Sequence, residues 1–166
     1  MFVVVKVPLQ ERLPHLFILS IACLFLVAPA SQAQRSRDAS PQAGGEDPAF
    51  NEFKGVRIGM TADETRKKLG DAKDKSDDQD FYLFGEKLAA QVLYKMHKVV
   101  TISIDFMGGL NDAPSPKQVL GTDVEAKPDG SIYKLVRYPK AGYWVSYNRT
   151  AGDSPLVSIT MQKIDQ

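Results

Sequence analysis

The sequence predicts an α+β domain in which short helices lie on one face of an antiparallel sheet. Three observations carry this: period-two alternation of apolar and polar residues in several segments, capping-box signatures before two short helical stretches, and Gly-containing turns between strand-like runs. The chain has 166 residues, 43% hydrophobic and 25% charged, which is the range of ordinary globular domains. Its 21 Lys plus Arg oppose 20 Asp plus Glu. Such a balance offers no basic field for a phosphate backbone, so nucleic-acid binding is not expected.

The first segment reads as an export signal. Lys6 and Arg12 precede an apolar run over residues 16–27, and small and polar residues ending Ser31-Gln32-Ala33 follow. This layout predicts a secretory signal peptide over 1–33, cleaved after Ala33. This run of twelve residues falls short of the roughly 20 that cross a bilayer, so no stable transmembrane anchor is expected. The only cysteine, Cys23, lies inside that run, and no Leu-like residue stands three positions before it to suit lipidation. Cleavage would leave a chain without thiols, held together by its core rather than by disulfides. Residues 34–48 are rich in Ser, Pro, Gly and charge and read as a flexible linker.

A first helix-plus-three-strand unit is expected over 49–107. Thr61 and Glu64 can form a capping box, the acidic first turn and basic later turn suit the helix dipole, and Gly70 is placed for the C-terminal cap. A polar loop over 71–80 follows. Strands are then predicted at 81–84, at 88–96 with Leu88, Ala90, Val92, Tyr94 and Met96 on one face, and at 100–106 with Val100, Ile102, Ile104 and Phe106. Gly85-Glu86 and His97-Lys98 serve as turns.

After a linker at 108–114 the programme repeats over 115–166. Ser115 caps, Pro116 suits the first helical position, Gln118 closes a second capping box, and Leu120-Gly121 stands where Leu69-Gly70 stood. Strands are predicted at 131–138, 143–150 and 156–163. Leu120 is separated from Leu69 as Tyr133 is from Tyr82, and Val157, Ile159 and Met161 fall on Val100, Ile102 and Ile104. Two tandem units are implied.

Residues 56–70 read V-R-I-G-M-T-A-D-E-T-R-K-K-L-G, which resembles the G-M-T, short helix, L-G signature of the BamE (SmpA/OmlA) outer-membrane assembly lipoproteins. Those domains are similar to the tandem fold of the β-lactamase inhibitor protein. The resemblance implies short helices on an antiparallel sheet and a non-catalytic role in binding protein. The chain departs from the signature at Thr65, where an apolar residue is usual, and at Ala72, where Pro is usual.

Catalytic chemistry is sparse. Beyond the signal peptide His97 is the only histidine, and it sits in a turn; no nucleophile elbow or phosphate-cradling Gly loop is present. No catalytic residue, metal site or cofactor is expected. Asp74, Ser76, Asp78 and Asp80 have the alternate spacing of a calcium loop, but Gln79 and Gly85 stand where that loop needs Gly and Glu. Asn148-Arg149-Thr150 fits the N-glycosylation pattern and is read as incidental.

The candidate partner-binding residues are Tyr138, Tyr143, Trp144, Tyr147 and Arg149. Tyr, Trp and Arg dominate binding hot spots, and they are concentrated in this stretch. Along a strand Tyr143, Val145, Tyr147 and Arg149 point one way and Trp144 the other, so one set is core and the other is available. The expected function is an exported adaptor that binds protein in the cell envelope or outside the cell. The alternative is an inhibitor of an exported hydrolase, with an enzyme or small-ligand binder a distant third.

Overall fold

The computed structural model describes Gln42–Ala43 and residues 47–165. The expected signal peptide and most of the expected linker lie outside the described residues. Helix α1 (Ala62–Leu69) begins at Thr61, whose hydroxyl accepts from the Glu64 N–H while the Glu64 carboxylate accepts from the Thr61 N–H. Helix α2 (Pro116–Leu120) begins at Ser115 with the same reciprocal bonds to Gln118. Both helices stop at a glycine with positive φ, 83° at Gly70 and 74° at Gly121, a region closed to most side chains.

Among the described residues eight strands form one sheet: β1 (Gln42–Ala43), β2 (Asp74–Lys75), β3 (Gln79–Leu83), β4 (Leu88–Lys95), β5 (Lys98–Phe106), β6 (Ile132–Tyr138), β7 (Tyr143–Arg149) and β8 (Val157–Lys163). Their order is β1-β6-β7-β8-β5-β4-β3-β2. Every pairing is antiparallel except the two-residue β1, which runs parallel to β6 at Val136 and Arg137. The architecture is thus a largely antiparallel sheet with few, short helices.

Alternation decides which face is covered. Val136, Val145, Met161, Ile102 and Val92 form one row across the paired strands, and Tyr147, Ile159, Ile104, Ala90 and Tyr82 form another. These residues are buried with Phe53, Val56, Ala62, Val119 and Leu120, which come from the helices and the segment before α1. At roughly 25 cal/mol per Å² of apolar surface removed from water, this shared layer is the main stabilising term.

Three local expectations are corrected. The polar loop at 71–80 is interrupted by β2, and β3 starts at Gln79, which carries Asp80 fully into the core. Met96 is not a strand residue but stands at the hairpin tip, 84% exposed, because Met96 and His97 form the two-residue turn between the paired Lys95 and Lys98. Their φ values of 51° and 59° supply the positive backbone angles that match a tight hairpin to the twist of its strands. Finally, Leu93 pairs with Thr101 but Tyr94 with Val99, so a bulge makes Val100 the extra residue. Val99 consequently enters the core and Val100 is only half-buried.

Candidate functional site

The aromatic stretch is β7 and the turn before it, and the structure divides its residues cleanly. Tyr138, Tyr143 and Tyr147 are 3%, 8% and 2% exposed and lie on the helix-covered face. As partner-binding candidates these three are corrected: they are core. The Tyr138 and Tyr143 rings meet at 6.3 Å, and burial raises the pKa of all three phenols. Arg149 is also engaged internally, with Nε and Nη2 donating to the Gly130 carbonyl at 2.8 and 2.6 Å. Trp144 alone of the five lies on the helix-free face and is half-buried there.

Sheet register shows what surrounds Trp144. Arg137 of β6 is directly opposite on one side and Gln162 of β8 on the other. Further along β6, Leu135 and Tyr133 occupy the same face, and Tyr133 is 63% exposed. Sequence reasoning overlooked Arg137 and Tyr133, although their alternation with Ile132, Val136 and Tyr138 is the same signal that placed the strand. Between this flank and Phe81, Leu83 and Leu93 of the far strands, the inner strands carry mainly hydroxyls and amides: Asn148, Ser146, Thr160, Ser103, Thr101 and Gln91. Ser158 donates to Asp105 at 2.6 Å, and the Ser103 and Thr160 hydroxyls are 3.2 Å apart. Among the described residues no element covers this face.

The most concentrated charge in the interior is Asp80. Arg66 of α1 donates to both carboxylate oxygens, from Nε at 2.9 Å and Nη2 at 3.0 Å, while Tyr94 and Tyr82 donate to Oδ2 at 2.7 and 3.1 Å. Burial pushes the Asp80 pKa up, but the Arg66, Tyr94 and Tyr82 hydrogen bonds outweigh it and leave the carboxyl below its ordinary value. Burial first, then the adjacent carboxylate, push Tyr82 up to about 12 and Tyr94 higher still. Arg66 also donates to the Ser76 carbonyl at 2.7 Å, so one guanidinium ties α1, β3 and the loop before it together. Every buried side-chain polar atom in this cluster has a partner, and its geometry is that of a structural tie between helix and sheet.

A cleft of about 330 Å³ opens at the end of the sheet that carries the Met96-His97 turn. Ile58 and Val100 contribute apolar walls, and Lys95, Lys98, Lys163 and Asp165 line it as well. A second cleft of about 590 Å³ shares Gly142, Lys163 and Asp165 with the first and adds Arg137, Pro139 and Ile164. Neither expected turn chemistry nor composition pointed to these clefts, because their walls come from four separate stretches of chain.

The remaining motifs are placed as follows. His97 is exposed in its turn, with its carbonyl accepting from the Ala62 N–H at 3.0 Å. Asp74 and Asp78 are exposed, while Asp80 is turned into the core away from them. Asn148 lies within the central strand β7, half-buried on the helix-free face. Among the described residues no group of three or more His, Cys, Asp or Glu is placed to hold a metal ion, and no helix is long and apolar enough to cross a membrane. No protein-family model, curated protein or solved structure matches this chain.

Proposed function

We propose that this chain is an exported, non-catalytic module that binds a protein partner through the helix-free face of its sheet. The observation that carries the reading is the cluster on β6 and β7: Trp144 half-buried, Arg137 directly across from it, and Tyr133 63% exposed two positions along the same face. Large aromatic groups beside a guanidinium, on a face that no described element covers, are the composition of a binding hot spot.

The same reading takes the fold as a tandem duplication of BamE type. Two capping boxes, two Leu-Gly helix stops and two three-stranded meanders in the same order support it. A second reading, inhibition of an exported hydrolase, is favoured by the loop after β5, where Met107 and Leu110 are 46% and 48% exposed and could enter an enzyme cleft.

Crosslinking and capture from cell-envelope extract tests both. Wild type should retain a protein that Trp144→Ala and Tyr133→Ala lose, with both variants still unfolding cooperatively well above the capture temperature. Capture that is indifferent to both substitutions overturns the face assignment. A captured hydrolase whose turnover falls stoichiometrically, and recovers with Leu110→Ser, selects the inhibitor.

A further inference from the structure

The clefts at the Met96-His97 end lie at a seam in the sheet. The edge of β5 carries β8 from Thr101 to Phe106, but at Val99 that edge is taken by the segment before α1. The Gly59 N–H donates to the Val99 carbonyl and the Val99 N–H to the Met60 carbonyl, each at 2.8 Å, and Thr61 bridges Lys98. β8 has no pairing with β5 beyond Gln162, whereas on its other side the Ile164 N–H donates to the Gly142 carbonyl at 2.9 Å and keeps the end of β8 on the β6–β7 turn. A gap therefore remains between residues 58–59 and 163–165, and the bulge residue Val100 lines it.

The cations are spread along this gap. Lys95 and Lys98 stand at one end, Lys163 in the middle and Arg137 at the other, all exposed, with Asp165 the one acid among the described lining residues. None of the four forms an ion pair within 4.0 Å among the described residues. Glu64, which senses the charge of Lys98, is already committed to the α1 capping box. Lys95 and Lys98 face each other directly across the hairpin, an unfavourable like-charge pair. Met96 and His97 between them hold positive φ without being glycine, a further cost concentrated at one tip.

We propose that this trough binds an extended acidic segment of a protein partner, with carboxylates on the lysines and Arg137 and interleaved apolar side chains against Ile58, Val100 and Ile164. The proposal rests on the reading of the chain as a protein-binding module and names the chemistry of what it takes. Length favours a peptide over a small anion. The two clefts share Gly142, Lys163 and Asp165 and together reach from the β4–β5 hairpin to Arg137 of β6, a run of cations across several strand ends that only an extended chain meets at once. The apolar wall separates a peptide from a bare polyanion, which would have no use for it.

The test is fluorescence anisotropy of the purified chain with a fluorescein-labelled octapeptide alternating Glu and Val. Binding is expected that weakens at least tenfold in Lys95→Glu/Lys98→Glu and in Lys163→Glu, and weakens with added salt. A matched peptide alternating Glu and Ser should bind at least fivefold more weakly, and one alternating Lys and Val should not bind. Unchanged affinity in both charge-reversal variants overturns the proposal. So does equal binding of the Glu-Ser peptide, of polyphosphate or of an oligothymidylate, because the trough would then read charge alone. Thermal unfolding of both variants identifies any that fails to fold, and Lys163→Glu tests the trough independently of the hairpin. Absent peptide binding beside retained Trp144-dependent capture overturns the trough alone; peptide binding beside Trp144-independent capture overturns the face alone.

Discussion

Ser103 and Thr160 oppose one another across the β5·β8 pairing, with their side-chain oxygens 3.2 Å apart. Thr160 is also the residue that the internal sequence match places on Ser103. Under the proposed duplication, a pseudo-two-fold axis passes between these two hydroxyls, and the flanking pairs Thr101 with Gln162 and Asp105 with Ser158 exchange across it. A double-mutant cycle on Ser103→Ala and Thr160→Val should show coupling: each single change costs about 0.5–1.5 kcal/mol, and the double costs less than their sum. Urea unfolding of the four proteins measures it; strict additivity removes the hydrogen bond from the account.

Asp80 should be the most sensitive polar position. Asp80→Asn leaves Arg66 without its carboxylate and should destabilise by about 3 kcal/mol, the lower part of the range for broken buried pairs because Arg66 is partly exposed. Tyr94→Phe, which removes the 2.7 Å bond, should cost about 2 kcal/mol and more than Tyr82→Phe, which removes the 3.1 Å bond. Denaturant titration ranks the three.

The same carboxylate sets an acid limit. Its folded-state pKa lies below the ordinary value of 3.8, so its contribution to stability is fully present above that value and is lost as pH falls through the lower, folded-state one. The wild-type melting temperature should therefore drop steeply below about pH 4. Asp80→Asn should start lower and fall less over that interval, and parallel curves for the two proteins would exclude Asp80 as the titrating group.

Core and surface aromatics of the same strand should part company. Tyr147→Ala should cost about 3–5 kcal/mol, as large buried aromatic truncations do. Trp144→Ala, on the helix-free face, should cost less than half as much while removing partner capture. Chemical denaturation beside a capture assay distinguishes them.

The hairpin tip should be easy to stabilise. Met96→Asn with His97→Gly gives the turn residues that tolerate positive φ at both positions and should raise stability by roughly 1–2 kcal/mol. Differential scanning calorimetry reads the gain. A loss instead would mean that Met96 or His97 makes a contact worth more than the backbone strain.

Much of the framework was legible because it rests on local rules. The two capping boxes, the glycine stops and the strands ending at Tyr138, Arg149 and Lys163 follow from hydroxyls, glycines and period-two alternation within a few residues. What escaped depends on partners distant in sequence. Asp80 reads as one more solvated acid of a polar loop until Arg66, Tyr82 and Tyr94 are brought around it. Val99 and Val100 are both β-formers, and only the bulge decides which is core. Met96 continues an apolar alternation, and nothing local announces that the chain reverses there. On β7 both faces carry aromatics, so alternation defined two sets without choosing; the helices and the segment before α1 made the choice by covering Tyr143 and Tyr147. Neither cleft is written in any one segment.

The β5·β8 junction bears on how the molecule comes into being. β8 leaves the ribosome more than fifty residues after the strand it must join. Until it arrives, a nascent chain that has already closed the β3–β5 meander presents β5 as a bare edge lined with Ile102, Ile104 and Phe106. That interval is the period of greatest exposure to self-association, and a ribosome stalled just short of Val157 would leave it open indefinitely.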